Sequence, residues 1–363
     1  MRFISFSSVM EGRKNNFDFL RFLLAILVIA YHCFPLTYGA AQPSNVVWVL
    51  AERGGTAAVP FFFIISGFLI TQSWVKNPNL KLFLTKRTLR IFPAFIAAAV
   101  FCALIVGPLS TSDTSAYWQS FKWPKFLVYL FLLPADVVGP DMSLVFPSLP
   151  FPSFINGSFW TLRYEFECYV LVAFLGLLGF YKGKRWILCA FALLLTLWTI
   201  QSLTHWQIFS GREIPLLGNM QRWARLLTFF LTGMTFYLYR ARIPYSRRLF
   251  WISFAAIGLS IFSRTSFEVV LPLFGGYCLL YVAFNRRVGL QNFGKHGDYS
   301  YGLYLYAFPI QQLLIYHFKT QITALNLFPL AFVFSLMCAF FSWHLVEKRF
   351  LQLKNRGIEK VAR

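Results

Sequence analysis

Residues 17–36 read FDFLRFLLAILVIAYHCFPL, and this stretch decides the fold class. Twenty mostly apolar residues form a helix about 30 Å long, which matches the hydrocarbon core of a bilayer. The stretch is longer than the ~7–15 apolar residues of a signal peptide. It therefore predicts a membrane-spanning helix that is retained in the protein.

Similar apolar stretches recur along the whole chain and predict about ten spans. Of the 363 residues, 58% are hydrophobic and only 13% are charged, about half the charged share of a soluble protein. We therefore predict an all-α, polytopic transmembrane bundle that forms a single domain, 1–363, with a core at 16–346 and a basic tail at 347–363. The predicted spans are 17–36, 56–75, 91–109, 158–181, 186–203, 223–240, 248–264, 268–285, 299–317 and 328–346.

The distribution of Lys and Arg predicts which side each loop faces, because cytoplasmic loops carry an excess of these residues. The apolar segment 126–137 is short for a full crossing. If it does not cross, 24 of the 34 Lys and Arg face the cytoplasm and seven lie outside. If it crosses, 12 face the cytoplasm and 19 lie outside. The first arrangement places both termini in the cytoplasm. It makes 110–157 a long outer loop with a re-entrant or interfacial helix.

The net charge of +21 does not indicate nucleic-acid binding, because the basic residues form short clusters between apolar spans. The expected partner is the lipid bilayer, and no nucleic acid is expected. The six Cys are scattered, mostly within spans and without CxxC spacing, so neither a metal site nor a redox pair is predicted.

Ionisable side chains in the first span are candidate functional residues, because charges inside a membrane are costly. Arg21 and His32 are eleven residues apart, which puts them within about 20° on one helix face and about 16 Å apart along the axis. Asp18 lies three residues before Arg21 and can pair with it. Singly, His32 can serve helix packing and Arg21 can anchor at the interface. Together they favour a polar cavity, in which His32 suits proton abstraction.

The fourth span begins WTLRYEFE, and its two carboxylates face opposite ways, about 200° apart on the helix. Glu165 lies four residues before Tyr169, whereas Glu167 lies four residues after Arg163 and can pair with it. We interpret Glu167 as structural and Glu165 as the active carboxylate. The predicted topology puts Glu165 in the outer half of the bilayer, at a depth similar to that of the histidine in the first span.

Two further segments have alternative interpretations. The FFFIISGF segment contains Ser66-Gly67, which predicts close helix packing. The KRTLR cluster places Arg87 and Arg90 three residues apart on one helix face. These arginines either set the membrane topology or bind the phosphates of a coenzyme.

In these segments the chain resembles the membrane-bound acyltransferase 3 family, bacterial O-acyltransferases that modify surface and exported glycans. The likeness covers the chain from Asn16 to the tail. The family motifs are an Arg and a His with ten residues between, FFxxSGF, a basic RxxR, W-[ST]-L-x-x-E ending in Tyr, and two final helices. Each is weak alone, but six in order are specific; they lie here at 17–32, 59–70, 86–93, 160–169, 300–306 and 342–347.

Two positions depart from the family pattern. Many members carry a His after the YLY run and before Pro, and Ala307 stands there in this chain, so no catalytic role is carried over. The tail motif often ends in Glu-x-Pro, whereas Arg349 follows Glu347 and Lys348 here.

The resemblance implies transfer of an acyl group, expected to be acetyl, to a sugar hydroxyl of an extracytoplasmic glycan. The expected acceptor is lipopolysaccharide, exopolysaccharide or a lipid-linked sugar, and the expected donor substrate is acetyl-CoA or another acyl-CoA from the cytoplasm. No cofactor is expected to stay bound. The implied location is the bacterial cytoplasmic (inner) membrane, which the chain crosses several times.

The expected catalytic residues are His32, as general base or transient acyl carrier, and Glu165, which orients it or binds the acceptor. Cys33 is a further acyl-carrier candidate. Donor phosphates are expected to meet Arg21, Arg87 and Arg90, with supporting roles for Asp18, Ser66, Gly67, Trp160 and Tyr169.

Two other functions remain open: a carrier or flippase for a lipid-linked glycan, and a structural subunit of a polysaccharide export system. A His and a Glu at one depth favour the enzyme, because a carrier needs no base.

Overall fold

The computed structural model describes residues 4–10, 15–204, 206, 208, 209, 211, 213, 214 and 218–352. Four of the basic residues counted for the topology lie outside the described residues, at positions 2, 13, 14 and 212. The tail from residue 353 onward also lies outside them. The described chain is mostly helical, which confirms the predicted class.

Ten helices of at least 14 residues run through the described chain, and each coincides with a predicted span. They are α1 (Phe17–Tyr38), α2 (Val46–Lys76), α3 (Leu80–Leu109), α4 (Trp160–Leu177), α5 (Arg185–Thr204), α6 (Met220–Tyr239), α7 (Arg247–Ser260), α8 (Arg264–Phe284), α9 (Ser300–Phe318) and α10 (Ala324–Gln352). Within the described residues, six of them are long and apolar enough to span a membrane: α1, α2, α3, α5, α8 and α10. A count of ten crossings stays a prediction.

Shorter elements connect these helices. Three helices include a wide π turn, namely Cys102–Val106 in α3, Leu271–Gly275 in α8 and Trp343–Glu347 in α10. The other short α-helices are Phe6–Val9, Thr114–Ser120 and Trp123–Tyr129, and the 3-10 turns are Met142–Leu144, Arg286–Val288, Phe293–His296 and Lys319–Gln321. Two short antiparallel strands, β1 (Glu213–Ile214) and β2 (Gly218–Asn219), precede α6.

Capping side chains place several helix starts before their predicted positions, and two of them serve as examples. Helix α2 begins at Val46 rather than at residue 56, because the Asn45 side chain accepts a hydrogen bond from Trp48 N at 2.9 Å. Helix α8 begins at Arg264 rather than at residue 268, because Ser263 Oγ accepts from Ser266 N at 3.2 Å.

The segment 126–137 contains only the end of the helix Trp123–Tyr129. Seven residues extend about 10 Å, far short of a bilayer. The described segment therefore has no helix long enough to cross, as expected. The placement of 110–157 on the outer side stays a prediction.

The described chain forms two compact units. Unit 1 contains the described chain up to Arg21, together with Thr56–Leu84 and Tyr164–Lys295. Unit 2 contains Phe22–Gly55, Thr85–Arg163 and the described chain from His296 onward. The grouping of the whole chain as a single domain stays a prediction.

Aromatic rings fill part of the core of unit 1. The Phe6 ring lies edge-on to Tyr245 and its centroid is 5.3 Å from the Tyr245 centroid. Phe17 packs against Phe68 at 5.9 Å and against Phe284 at 5.4 Å. Such ring pairs add about 0.5–1.5 kcal/mol each beyond their buried area. They fix the start of α1 against α2 and α8.

Small residues bring helices together in unit 2. A Cβ at Gly302 of α9 would lie 2.9 Å from the Ala339 Cα of α10, so the two backbones are in contact. Phe95 of α3 packs edge-on against Phe159, with centroids 5.0 Å apart.

Large apolar side chains are exposed on the surfaces of the helices and of the turns that join them. Leu259 and Phe262, for example, are 79% and 87% exposed. Apolar surface on this scale is unfavourable in water and suits contact with lipid tails. Together with the six apolar helices, it identifies a multi-pass membrane protein.

A half-buried carboxylate organises the loop between α3 and α4 in unit 2. Asp136 accepts hydrogen bonds from the backbone N–H groups of Val137 at 2.7 Å, Ile155 at 2.8 Å and Asn156 at 2.6 Å. The Asn156 side chain then donates to the Leu305 carbonyl of α9 at 2.8 Å. The loop is thereby tied to the helices on which it lies.

Stability is expected to depend on pH through Asp136. Burial raises its pKa to about 6, although the three N–H donors act in the opposite direction. The pKa of Asp136 in the folded protein lies above the unfolded value of about 3.9. The contribution of Asp136 to the free energy of unfolding is therefore fully present below about pH 4, and it is lost as the pH rises through about 6. The loss reaches about 3 kcal/mol at most.

The check is thermal unfolding of the detergent-purified protein between pH 4 and 7.5. The Tm of the wild type should fall across this range relative to Asp136→Asn, which cannot titrate. Asp141→Asn is the control, because Asp141 is exposed and its pKa is lowered by hydrogen bonds from Ser143. If the Tm of wild type and of Asp136→Asn changed with pH in parallel, titration of Asp136 would not contribute to stability.

Candidate active site

Helix α1 carries three of the predicted site residues on one α-helix that continues through Pro35 to Tyr38. In unit 1, Asp18 Oδ1 lies 3.5 Å from Arg21 Nη1, so the expected pair of helical neighbours is present. Backbone packs closely on this carboxylate, since a Cβ at Gly294 would lie 2.3 Å from Asp18 Oδ2.

The ring orientation of His32, in unit 2, fixes which nitrogen can accept a proton. Its Nδ1 lies 2.9 Å from the carbonyl oxygen of Val28, one turn earlier in α1. A carbonyl oxygen only accepts, so Nδ1 must carry the hydrogen of this bond. In the neutral ring Nε2 then holds the free lone pair. His32 is therefore in the tautomer of a general base acting through Nε2.

A buried amide on α9 holds the turn of α1 that surrounds His32. Gln311 Nε2 donates to the Ile29 carbonyl at 2.9 Å and lies 3.0 Å from Cys33 Sγ. Both Gln311 and Cys33 are fully buried. The Cys33 sulfur therefore has no accessible surface on which to carry an acyl group.

An aromatic ring packs against His32 beside Ala307, the position at which the resemblance implies a histidine in many members. Ala307 is buried, and the next residue, Phe308, presents its ring edge-on to the His32 ring with centroids 5.5 Å apart. Gly157 makes room for this ring, because a Cβ there would lie 2.5 Å from Phe308 Cε2. The contact limits how far the imidazole can rotate.

The first turn of α4 is tied to α9 within unit 2. Thr161 Oγ1 lies 2.8 Å from the Tyr304 hydroxyl, which donates to the Ser158 carbonyl at 3.1 Å. Trp160 is half-buried as the first residue of α4. These bonds fix the point at which α4 begins.

The two carboxylates of α4 have different partners within unit 1. Tyr169 donates a hydrogen bond from its hydroxyl to Glu165. Glu167 Oε2 accepts from the indole N–H of Trp223 on α6 at 2.6 Å. The separate partners agree with the opposite faces inferred from the spacing. The active role of Glu165 stays a prediction.

Ser66-Gly67 lies at a helix crossing in unit 1. A Cβ at Gly67 would lie 2.0 Å from the Phe230 carbonyl oxygen, and one at Gly233 would lie 2.0 Å from the Ile64 carbonyl oxygen. Helices α2 and α6 are therefore in backbone contact, as expected for such a segment. The buried hydroxyl of Ser66 has no hydrogen-bond partner among the described residues.

The basic cluster of α3 lies in unit 2, and one of its arginines has a carboxylate partner. Arg90 Nη2 is 2.5 Å from Asp298 Oδ2, and its guanidinium lies over the Tyr301 ring at 5.4 Å from the centroid. Ser300 donates from its hydroxyl to the same carboxylate. A phosphate that binds Arg90 must therefore share the guanidinium with Asp298 or replace it. The donor-binding roles of Arg87 and Arg90 stay predictions.

Sequence reasoning gave no role to Arg225, which lies in α6. In unit 1 its Nη2 is 3.6 Å from Glu268 Oε1 of α8 and donates to the Thr56 carbonyl at 3.1 Å. The signal was present in the sequence, because a cation and a carboxylate in different predicted membrane segments require partners. No single spacing shows that these two find each other.

The predicted site residues are divided between the two units. Unit 2 contains His32, Arg87, Arg90 and Trp160, and unit 1 contains Asp18, Arg21, Ser66, Gly67, Glu165 and Tyr169. The structure describes the surroundings of each, and the assembly of His32 and Glu165 into one site stays a prediction. Among the described residues, no group of three or more His, Cys, Asp or Glu side chains is placed to hold a metal ion.

Comparison with known proteins gives the same family as the motifs. The model of a family described as an acyltransferase domain matches residues 14–344. The O-acetyl transferase of Shigella phage Sf6 is 28% identical over 93% of this chain and 96% of its own length. Nodulation protein 10 of Rhizobium leguminosarum bv. viciae is 30% identical over 46% of this chain and 45% of its own length.

A further relative, acyltransferase MdmB of Streptomyces mycarofaciens, is 26% identical over 42% of this chain and 36% of its own length. No solved structure matches. The family match covers nearly the whole described core, including the first five motif segments quoted above and the start of the sixth. The chain belongs to the acyltransferase 3 family and is an acyltransferase.

Proposed function

We propose that this chain is an O-acetyltransferase that moves an acetyl group from acetyl-CoA in the cytoplasm to a sugar hydroxyl of a glycan outside the bacterial inner membrane. The observation that carries the chemistry is the His32 tautomer, with Nδ1–H bonded to the Val28 carbonyl and Nε2 free to take a proton. The name of the phage relative, an O-acetyl transferase, supports the acetyl group and the oxygen acceptor.

In the proposed reaction, Nε2 of His32 removes the proton of the sugar hydroxyl as its oxygen attacks the thioester carbonyl carbon. The new C–O bond forms, the C–S bond breaks, and the coenzyme thiolate takes the proton back from His32. A base that acts in the transition state contributes typically 10²–10⁴-fold to the rate. Transient transfer of the acetyl group to Nε2 is the alternative route through the same nitrogen.

The other site residues take binding and orienting roles in this proposal. Arg21, Arg87 and Arg90 would contact the coenzyme phosphates, for which guanidinium groups are well suited. Glu165, which accepts a hydrogen bond from Tyr169, would orient His32 or bind the acceptor hydroxyl. The proposed topology has ten spans and both termini in the cytoplasm, so the donor would enter from inside.

The test is an acyl inventory of the surface glycan of the producing cell, by mass spectrometry and proton NMR, in wild type and in a deletion strain. Loss of one acetyl ester on an otherwise unchanged glycan is expected, and it would identify the sugar and the hydroxyl. Unchanged acylation together with a drop in total surface glycan would instead establish the carrier function.

A further inference from the structure

A groove of about 430 Å³ opens in unit 1 between the turn that precedes α5 and the end of α6. We call it the basic groove. It is lined by residues 182–185 and by residues of 238–242, which include four basic side chains: Lys182, Lys184, Arg185 and Arg242. No carboxylate is among the lining residues. The proposed topology puts this groove on the cytoplasmic side of the bilayer.

The two segments that form the basic groove are more than fifty residues apart in sequence, so the fold brings their charges together. Positive charges that converge on one concavity repel each other, and an anion in the groove relieves this repulsion. Among the described residues, none of the four cations forms a salt bridge with a carboxylate.

The arginines of the basic groove are held by aromatic neighbours rather than by acids. Arg185 lies over the Trp186 ring at 5.5 Å from the centroid, and Arg242 lies over the Tyr239 ring at 5.9 Å. Stacking orients a guanidinium and leaves the edge N–H donors available for planar, bidentate recognition of phosphate oxygens. Arg240, by contrast, already donates to the Tyr237 carbonyl at 2.7 Å.

A bias of positive charge toward the cytoplasm explains the sign of these residues, but it does not require them to share a groove. Arg247 and Arg248 carry the same charge on the same predicted side, and they are exposed outside the groove lining. They provide a matched comparison within the chain.

We propose that the basic groove binds a phosphate-bearing anion. Two sources offer this chemistry at the cytoplasmic surface: the headgroup of an anionic phospholipid, and the phosphates of a coenzyme. The proposal concerns binding and does not rest on acyl transfer, so a failure of one leaves the other standing.

The experiment compares wild type, Arg185→Gln/Arg242→Gln and Arg247→Gln/Arg248→Gln as detergent-purified full chains. One arm measures retention of phosphatidylglycerol against phosphatidylcholine by native mass spectrometry. The other measures binding of adenosine 3′,5′-bisphosphate by equilibrium dialysis. A charge-keeping variant, Arg185→Lys/Arg242→Lys, separates loss of charge from misfolding, because it should keep part of the binding.

The groove variant is expected to bind one of the probes at least about tenfold more weakly than wild type, because two charge-assisted contacts are lost. The matched variant should bind like wild type. Loss confined to phosphatidylglycerol identifies a lipid headgroup. Loss confined to the bisphosphate identifies a coenzyme, and it would place the coenzyme phosphates in the basic groove instead of at Arg21, Arg87 and Arg90. The proposal is overturned if neither probe distinguishes the groove variant from wild type, or if the matched variant loses as much.

Discussion

Replacement of His32 by Ala should abolish acyl-ester formation while leaving the protein in the membrane. The variant removes the Nε2 lone pair that the Val28 carbonyl keeps available, so the loss of rate is expected to be about 10²–10⁴-fold. Complementation of the deletion strain with His32→Ala should therefore restore the protein but not the ester. Ester content is read by proton NMR of the extracted glycan, and protein level by immunoblot.

His317 provides a control with the same local geometry. Its Nδ1 lies 2.9 Å from the Leu313 carbonyl, one turn earlier on α9, as His32 Nδ1 does from Val28. His317 lies at the exposed end of its helix. His317→Ala should restore the ester in full, and an ester restored equally well by His32→Ala would rule out His32 as the base.

The second large effect concerns the crossing of α2 and α6. Gly67→Ala places a methyl group 2.0 Å from the Phe230 carbonyl oxygen, which is backbone and cannot rotate away. The helices must separate, and the expected cost is about 3 kcal/mol or more, at the upper end of overpacking substitutions. Most of the protein should be lost from the membrane fraction, and the remainder should unfold at a clearly lower Tm.

Gly258 of α7 supplies the matched control, because a Cβ there meets no atom within 4 Å. Gly258→Ala should keep or slightly raise the Tm, since Ala is the better helix former by about 1 kcal/mol. Gly233→Ala should behave like Gly67→Ala, because it creates the reciprocal clash at the Ile64 carbonyl. Wild-type expression and Tm for Gly67→Ala would contradict the described crossing.

Much of the helical architecture could be predicted from the sequence, because a span of about twenty apolar residues has few alternatives in a bilayer. Helix starts were less predictable where a side-chain cap adds turns. Helix α2 begins at an Asn45 cap with the apolar residues 46–51, and the charged and glycine residues 52–55 separate these from the predicted span. Hydropathy alone does not show that the helix continues through this interruption.

The candidate site could be predicted only where its geometry is local. The Asp18–Arg21 and Glu165–Tyr169 pairs follow from helical spacing. The spacing offered Arg163 to Glu167, whereas the partner found is Trp223, 56 residues along the chain. The Asp298 partner of Arg90 lies 208 residues away, and the Gln311 contact to the turn of His32 spans more than 270 residues. Such pairs are set by tertiary packing, which no spacing in a single sequence encodes.

The most direct measurement is transfer of label by the purified chain in phospholipid vesicles, with [¹⁴C]acetyl-CoA on one side and the de-esterified surface glycan of the producing cell on the other. Wild type and His317→Ala should move label into alkali-labile ester on the glycan, and His32→Ala should move none above background. Glycan crossing the vesicle membrane without any ester formed would contradict the account and establish a carrier.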